Sequence, residues 1–361
     1  MRHGIASVER IEDFRQFDEI VDVRTPAEFA EDHIPGSINC PVLDNEQRIE
    51  VGTLYKQQSP FVAKRIGAAY VAENIARHLR ETFFDRPPNW KPLIVCWRGG
   101  QRSGSMALIF RRVGWDAQQL QGGYKVYRKL VVERLAELPR QFDFRVVCGA
   151  TGSGKSRLLK ALAENGEQVL DLEEFACHKG SVLGVLPDAP QPTQKTFETR
   201  LLSALLDFDP ARPVYVEAES RKIGTIHLPD ALLEMLRAAA CINIEASFDA
   251  RVDFLLRDYD YFLGAPEWLS SRLETLNQLQ SRETIERWQA YVRDGSWREL
   301  VGELLEKHYD PLYRRSQNKH FAGFREPKTF MANDLSPADI TRLARDIAAD
   351  DQPERIEAHA Q

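Results

Sequence analysis

Apolar positions along the chain fall into two alternating rhythms. Short apolar runs, in EIVDVR, SINCP, PLIVCW and AQQLQGG, have the length and flanks of strands. Between and after them, residues 67–83 and the segment following Ser103 carry the wider spacing of helices. Such alternation predicts an α/β layer built on a largely parallel sheet. VYRKLVVERLAELPRQFDF runs a helix into a proline, which marks a boundary, and FRVVCG opens a second α/β unit near Phe142. QVLDLEEF, PVYVEAES and ACINIEAS continue that unit as strands.

From Phe248 the pattern turns mainly helical through DARVDFLLRDYDYF, RETIERWQAYVRDG and WRELVGELLEKHYD. A last strand, PKTFMAND, and a helix from Pro337 close it. The predicted organisation is a domain over 1–138, a second over 142–350 with a helical extension, and a frayed tail over 351–361.

Composition narrows the class. Hydrophobic residues are 43% and charged residues 28% of the 361, ordinary for a globular protein. No run approaches the roughly 20 apolar residues of a membrane span, so no membrane partner is expected. The opening MRHGIASVERIEDF lacks a signal-peptide core, which predicts a cytoplasmic location. Five cysteines without a C-x-x-C pair argue against a zinc site and a disulfide framework, and no intrinsic metal is expected. With a net charge of −6, nucleic-acid binding has to come from a local patch. The stretch DPLYRRSQNKHFAGFREPK offers one, with Arg314, Arg315 and Lys319; the other reading is a solvated face.

Two loops carry candidate chemistry. GATGSGKS, Gly149 to Ser156, fits G-x-x-x-x-G-K-[ST] between a strand and a helix. Gly149, Gly152, Ser153 and Gly154 let backbone N–H groups wrap a diphosphate, Lys155 adds a fixed cation, and Ser156 could hold Mg²⁺. Asp171 and Glu219 stand at strand ends, where either could orient Mg²⁺ or water, or else serve as a helix cap or ion pair. Arg221 follows a strand end and would meet phosphate, or pair with Glu217 or Glu219. No aspartate ends an apolar run in the Walker B manner, since VYVEAES offers glutamates, and this counts against ordinary ATP hydrolysis.

The second loop is CWRGGQRS, a cysteine at the end of a strand with the spacing Cys-x5-Arg. Arg98, Gly99, Gly100, Gln101, Arg102 and Ser103 would form a positive bowl that lowers the Cys96 pKa and cradles an oxyanion. A cysteine that merely fills core needs none of this. Trp97 would stack on a nucleobase or pack beside the strand end. His178, beside Cys177, either assists as a base or nucleic-acid contact or is incidental.

IVDVRTPAEFAEDHIPGSINCP, CWRGGQRS and LQGGY resemble the rhodanese family of sulfur-transfer domains. The resemblance implies that Cys96 carries sulfur or selenium as a persulfide or its selenium analogue, and that Asp22 and Arg24 are structural. The loop is one residue longer than the usual rhodanese loop, which favours a larger tetrahedral anion such as phosphate or selenophosphate. Val95 stands where phosphatases of that loop length have histidine.

Taken with GATGSGKS, DLEEFACHKGSVLG, VEAESRKIG and HYDPLYRRS, nearly the whole chain is similar to the tRNA 2-selenouridine synthases. That resemblance implies a rhodanese-like parallel-sheet domain followed by a P-loop α/β domain with a helical C-terminal part. It implies action on 2-thiouridine at the wobble position of the tRNA anticodon: S-geranylation with geranyl diphosphate, then selenation with selenophosphate. Both are co-substrates, and no tightly bound cofactor is implied. The alternatives are an ATP-dependent sulfurtransferase or small-molecule kinase with a regulatory rhodanese domain, and an RNA-binding module without chemistry.

Overall fold

A computed structural model of the chain describes residues 4–181, 184–185, 189–258, 264–313 and 321–351. By packing, the chain divides into two compact units, Met1–Arg134 with Pro192–Leu202, and Leu135–Gln191 with Ser203–Gln361. The segment Pro192–Leu202 thus packs with the first unit, although it lies well beyond the boundary read from the proline near Phe142.

In the first unit, β1 (Ile5–Ala6), β2 (Glu19–Asp22), β3 (Ile38–Asn39), β4 (Pro92–Val95) and β5 (Gln118–Leu120) form one sheet in the order β1-β5-β4-β2-β3. Every pairing is parallel, so crossovers are required. Helices supply those from β2 onward: α1 (Pro26–Glu31), α2 (Asn45–Gln57), α3 (Pro60–Glu81) and α4 (Gln101–Val113); α5 (Tyr124–Glu137) follows the last strand. Central β4 is buried at all four positions, which is why PLIV has no polar alternation. Its C-terminal end delivers Cys96 to the edge at which α/β sheets bind ligands. Beneath the sheet, Trp90 meets Trp115 edge-on at 5.0 Å, and Val21, Ile94, Met106 and Phe110 complete the core.

Elements β1, α1 and α2 go beyond the sequence expectation. Strand β1 is two residues long, too short to carry a period. Helix α2 has no fully buried residue, so its apolar stripe is faint. Capping holds it: Asp44 accepts from the Gln47 N–H at 2.8 Å, and Gln47 accepts from the Asp44 N–H at 3.1 Å. Helix α3 starts at Pro60 rather than near Gly67, because Ser59 caps it and proline suits the first turn.

The second unit repeats the scheme. Its elements begin with β6 (Phe144–Cys148), α6 (Lys155–Glu164), β7 (Gln168–Leu170) and α7 (Leu172–Ala176) and continue with β8 (Val214–Glu217), while α8 (Gln194–Asp207) starts in the segment that belongs to the first unit and ends in the second. A small antiparallel pair, β9 (Lys222–Ile223) and β10 (Ile226–His227), precedes α9 (Asp230–Ala238) and β11 (Ala240–Glu245). Then come α10 (Phe248–Asp258), α11 (Pro266–Glu274), α12 (Arg282–Asp294), α13 (Trp297–Leu304), β12 (Lys328–Met331) and α14 (Pro337–Asp350). The parallel sheet runs β12-β11-β6-β8-β7.

QVLDLEEF is strand only to Leu170; Asp171 ends it by capping α7. One core, with Val147, Leu158, Tyr215, Ile242 and Leu343, lies against the sheet. Another, around Trp288 with Leu273, Leu276, Ile285 and Leu300, holds the helical part together. Among the described residues no helix is long and apolar enough to cross a membrane. The expected tail falls outside those residues beyond Asp351.

Candidate functional site

The cysteine loop is built by backbone against backbone. Gly99 and Gly123 have φ of +64° and +63°, the left-handed region that glycine enters without penalty. A Cβ on Gly123 would run into the Cys96 carbonyl and the Gly99 N–H, and one on Gly99 into the Leu120 carbonyl. The turn after β5 therefore lies directly under the loop, with Tyr124 N–H donating to the Cys96 carbonyl at 2.8 Å. This accounts for the glycines of LQGGY.

Cys96 Sγ is buried, accepts from the Gly100 N–H at 3.2 Å and lies 3.0 Å from Ser103 Oγ. Gln119 Nε2 donates to the Gly99 and Gly100 carbonyls at 2.6 and 2.9 Å and to Ser103 Oγ at 3.0 Å, fixing the loop from outside. A cavity of about 490 Å³ opens over the loop, lined by Arg98, Gln101, Arg102 and, from α2, Arg48.

Arg102 differs from expectation. Its guanidinium is held by both oxygens of Glu28, at 2.5 and 3.1 Å, so its charge is matched inside the protein. Trp97 is half-buried, stacked on Tyr124 at 5.4 Å with Lys195 Nζ 5.5 Å from its ring centroid, which fits packing as well as contact with a base. Asp22 and Arg24 form a fully buried pair at 2.6 Å. Arg24 also donates to the Asp32 carbonyl at 2.7 Å.

In the phosphate loop Gly149, Gly152 and Gly154 all have positive φ, so side chains there would be strained. Lys155 Nζ donates to the Gly149 carbonyl at 3.0 Å and lies 3.6 Å from Glu217. Ser156 Oγ reaches Glu173 and Glu217 at 3.0 and 3.2 Å. Ser153 is buried, and its hydroxyl has no hydrogen-bond partner among the described residues.

Glu173, Glu217 and Glu219 bring carboxylate oxygens within 4.8 Å of one another. Burial, then the neighbouring carboxylates, push Glu173 up to about 9 and Glu219 up to about 8. Burial also raises Glu217, against the pull of Lys155. An all-oxygen set suits a hard divalent cation such as Mg²⁺, which would displace the protons that these carboxyls hold.

The motifs DLEEF and VYVEAES contain Glu173 and Glu217, yet nothing in their spacing marks either as a site residue. Asp171, which the strand end does mark, caps α7 by accepting from the Glu174 N–H at 2.8 Å. Arg221 pairs with Asp230 at 2.6 Å, an exposed contact, rather than with either glutamate. His178 is buried, its Nδ1 has no hydrogen-bond partner among the described residues, and burial and Arg272 lower its pKa; Cys177 ends α7 at φ +48°. Arg314, Arg315 and Lys319 lie outside the described residues.

Beside the phosphate loop lies a cavity of about 350 Å³ with a mixed lining. Lys155, Ser156 and the three glutamates are among its polar residues, with Lys179 and Asp258, and Phe254, Leu255, Leu300, Val301 and Leu304 are among its apolar ones. Their apolar spacing in the sequence predicts helices without showing that these line a cavity.

Comparison with known proteins finds two matching domains along the chain. Residues 7–130 match the rhodanese-like domain, and residues 142–267 match the tRNA 2-selenouridine synthase AAA domain. A tRNA 2-selenouridine synthase of Nitrosomonas europaea is 35% identical over 246 residues, spanning 66% of this chain and 63% of that protein, less than two thirds of its length. Those of Alcanivorax borkumensis and Shewanella halifaxensis are 31% and 30% identical. They cover 81% and 83% of this chain, and 88% and 89% of their own lengths. With two motif-bearing loops on two matching domains, and with relatives matched over most of their length, the chain belongs to the tRNA 2-selenouridine synthase family.

Proposed function

We propose that the protein converts 2-thiouridine at the wobble position of tRNA into 2-selenouridine in two steps, one at each loop. The observation that carries this reading is the cavity beside the phosphate loop, with polar Lys155 and Ser156 and apolar Phe254, Leu300 and Leu304 in its lining. A diphosphate joined to a hydrocarbon chain matches both kinds of lining.

In the first step the thiouridine sulfur attacks the allylic carbon of geranyl diphosphate, the C–O bond breaks, and diphosphate departs with the electron pair. The loop N–H groups and Lys155 offset the charge that builds on it. Mg²⁺ held by Glu173, Glu217 and Glu219 would neutralise more of that charge. Without a cation or protons, these three carboxylates would repel the diphosphate. In the second step selenophosphate, a tetrahedral anion, is seated in the Cys96 loop. Its selenium attacks C2 of the geranylated base, the C–S bond breaks and geranyl thiol leaves with a proton from solvent. Water then takes the phosphoryl group as phosphate, leaving selenium on the base. Cys96 lies against the seated anion and positions it.

Incubating the chain with thiolated anticodon RNA, geranyl diphosphate and selenophosphate, with and without ATP, tests the reading. S-geranyl and then 2-selenouridine nucleosides are expected by mass spectrometry without ATP. A strict ATP requirement would favour the sulfurtransferase or kinase reading instead.

A further inference from the structure

The Cys96 loop obtains its free positive charge from an unexpected place. Arg102, the arginine that closes the Cys-x5-Arg spacing, is neutralised by Glu28 at 2.5 and 3.1 Å. Arg98 and Arg48 also line the cavity, and among the described residues neither has an ion-pair partner. Of the residues lining the cavity, Arg48 alone comes from outside the loop and its helix.

The position of Arg48 is set by its surroundings. Asn74 of α3 donates to the Gln47 side chain at 2.8 Å and to the Val42 carbonyl at 3.1 Å, so the first turn of α2 is pinned next to Arg48. One turn on stands Gly52, where a Cβ would lie 3.0 Å from Arg48 Nη1. Glycine inside a helix costs roughly 0.5–1 kcal/mol relative to alanine. Here it leaves the guanidinium room along the helix.

We propose that Arg48 determines the anion specificity of the Cys96 site, gripping the phosphate oxygens of the incoming tetrahedral anion with Arg98 beside it. A guanidinium presents paired N–H donors that match two oxygens of such an anion, and an unpaired one spends no donors on the protein itself. The inference rests on the reading that Cys96 receives a phosphate-bearing selenium donor. Arg48 acts in binding rather than in the bond changes at selenium.

The test uses the full chain and two independent readouts. Carboxamidomethylation of Cys96 by iodoacetamide is followed by peptide mass spectrometry against increasing inorganic phosphate. Selenation of S-geranylated RNA is followed against selenophosphate, with geranylation of thiolated RNA as the internal control. Arg48→Ala should raise both the phosphate concentration for half-protection and the KM for selenophosphate about tenfold, the effect of removing one charge-assisted hydrogen bond. The kcat and the geranylation rate should stay within about twofold of the parent.

Arg48→Lys should fall between the two. Gly52→Ala should melt no lower than the parent and should weaken phosphate protection less than Arg48→Ala does, because the new methyl shifts the guanidinium by only a few tenths of an ångström. Unchanged half-protection in Arg48→Ala overturns the inference. If phosphate protection depends on Arg48 but selenophosphate supports no selenation in the parent chain, the anion site stands and the selenium reading falls.

Discussion

Lys155 and Glu217 face each other across 3.6 Å, a cation set against a buried carboxylate whose proton affinity burial has raised. The ammonium is therefore held at the phosphate loop before any ligand arrives. Lys155→Ala should slow geranylation by about 10²–10³, the usual effect of removing one electrostatic partner from a transition state. Selenation of RNA that already carries the geranyl group should survive. A two-substrate assay with and without ATP checks this; loss of both activities in a folded variant would refute the division of labour between the loops.

Cys96→Ala should abolish selenium incorporation while S-geranyl nucleosides still accumulate. Cys96 and Ser103 are buried with Sγ and Oγ 3.0 Å apart, so the change removes one sulfur without opening the loop to solvent. Nucleoside mass spectrometry reads both products. A normal 2-selenouridine yield would remove Cys96 from the reaction.

The three glutamates predict a pH-dependent stability. Carboxyls with pKa values raised to about 9 and about 8 bind protons in the folded chain that the unfolded chain, near 4.5, has released. Their contribution is complete below the unfolded value and is lost as pH rises through the folded ones. The melting temperature should therefore fall between about pH 5 and 9, with Mg²⁺ restoring part of it at the alkaline end. Glu219→Gln should flatten the profile. A melting curve independent of pH and Mg²⁺ would contradict the proximity of these groups.

Asp22→Ala should destabilise the first unit by about 3–5 kcal/mol, because Arg24 would keep its charge in a fully buried place. Replacing both residues with apolar ones of similar volume should recover much of the loss. Denaturant titration of the single and double variants measures it.

Arg314 and Arg315 changed together to alanine should weaken tRNA binding and flatten its salt dependence by about one unit of slope for each phosphate no longer neutralised. Equal affinity and slope would leave the basic stretch a solvated face.

The loops were legible in the sequence because each is contiguous and its geometry demands particular residues in a row. Glycines with positive φ at 149, 152 and 154, then Lys155 and Ser156, leave a written signature. The partners that come from elsewhere left none. Glu28 reaches Arg102 from α1, and Arg48 reaches the cavity from a helix with too little buried surface to show a period. Asp171 stands out as the residue at a strand end, but it is occupied by the cap, and Glu173 carries the carboxylate inward. The apolar wall is hidden for a different reason. Leu300 and Leu304 satisfy the helical stripe whether they face a core or a cavity, and periodicity cannot tell these apart.

The backbone contact of Gly99 and Gly123 under the cysteine loop has a thermodynamic consequence. A loop already welded to the turn below it loses little chain entropy when an anion enters, so the ordering cost of binding was met during folding. The same weld removes its ability to adapt. Its shape is set before the ligand arrives, and an anion of the wrong size meets a rigid loop instead of one that can close around it.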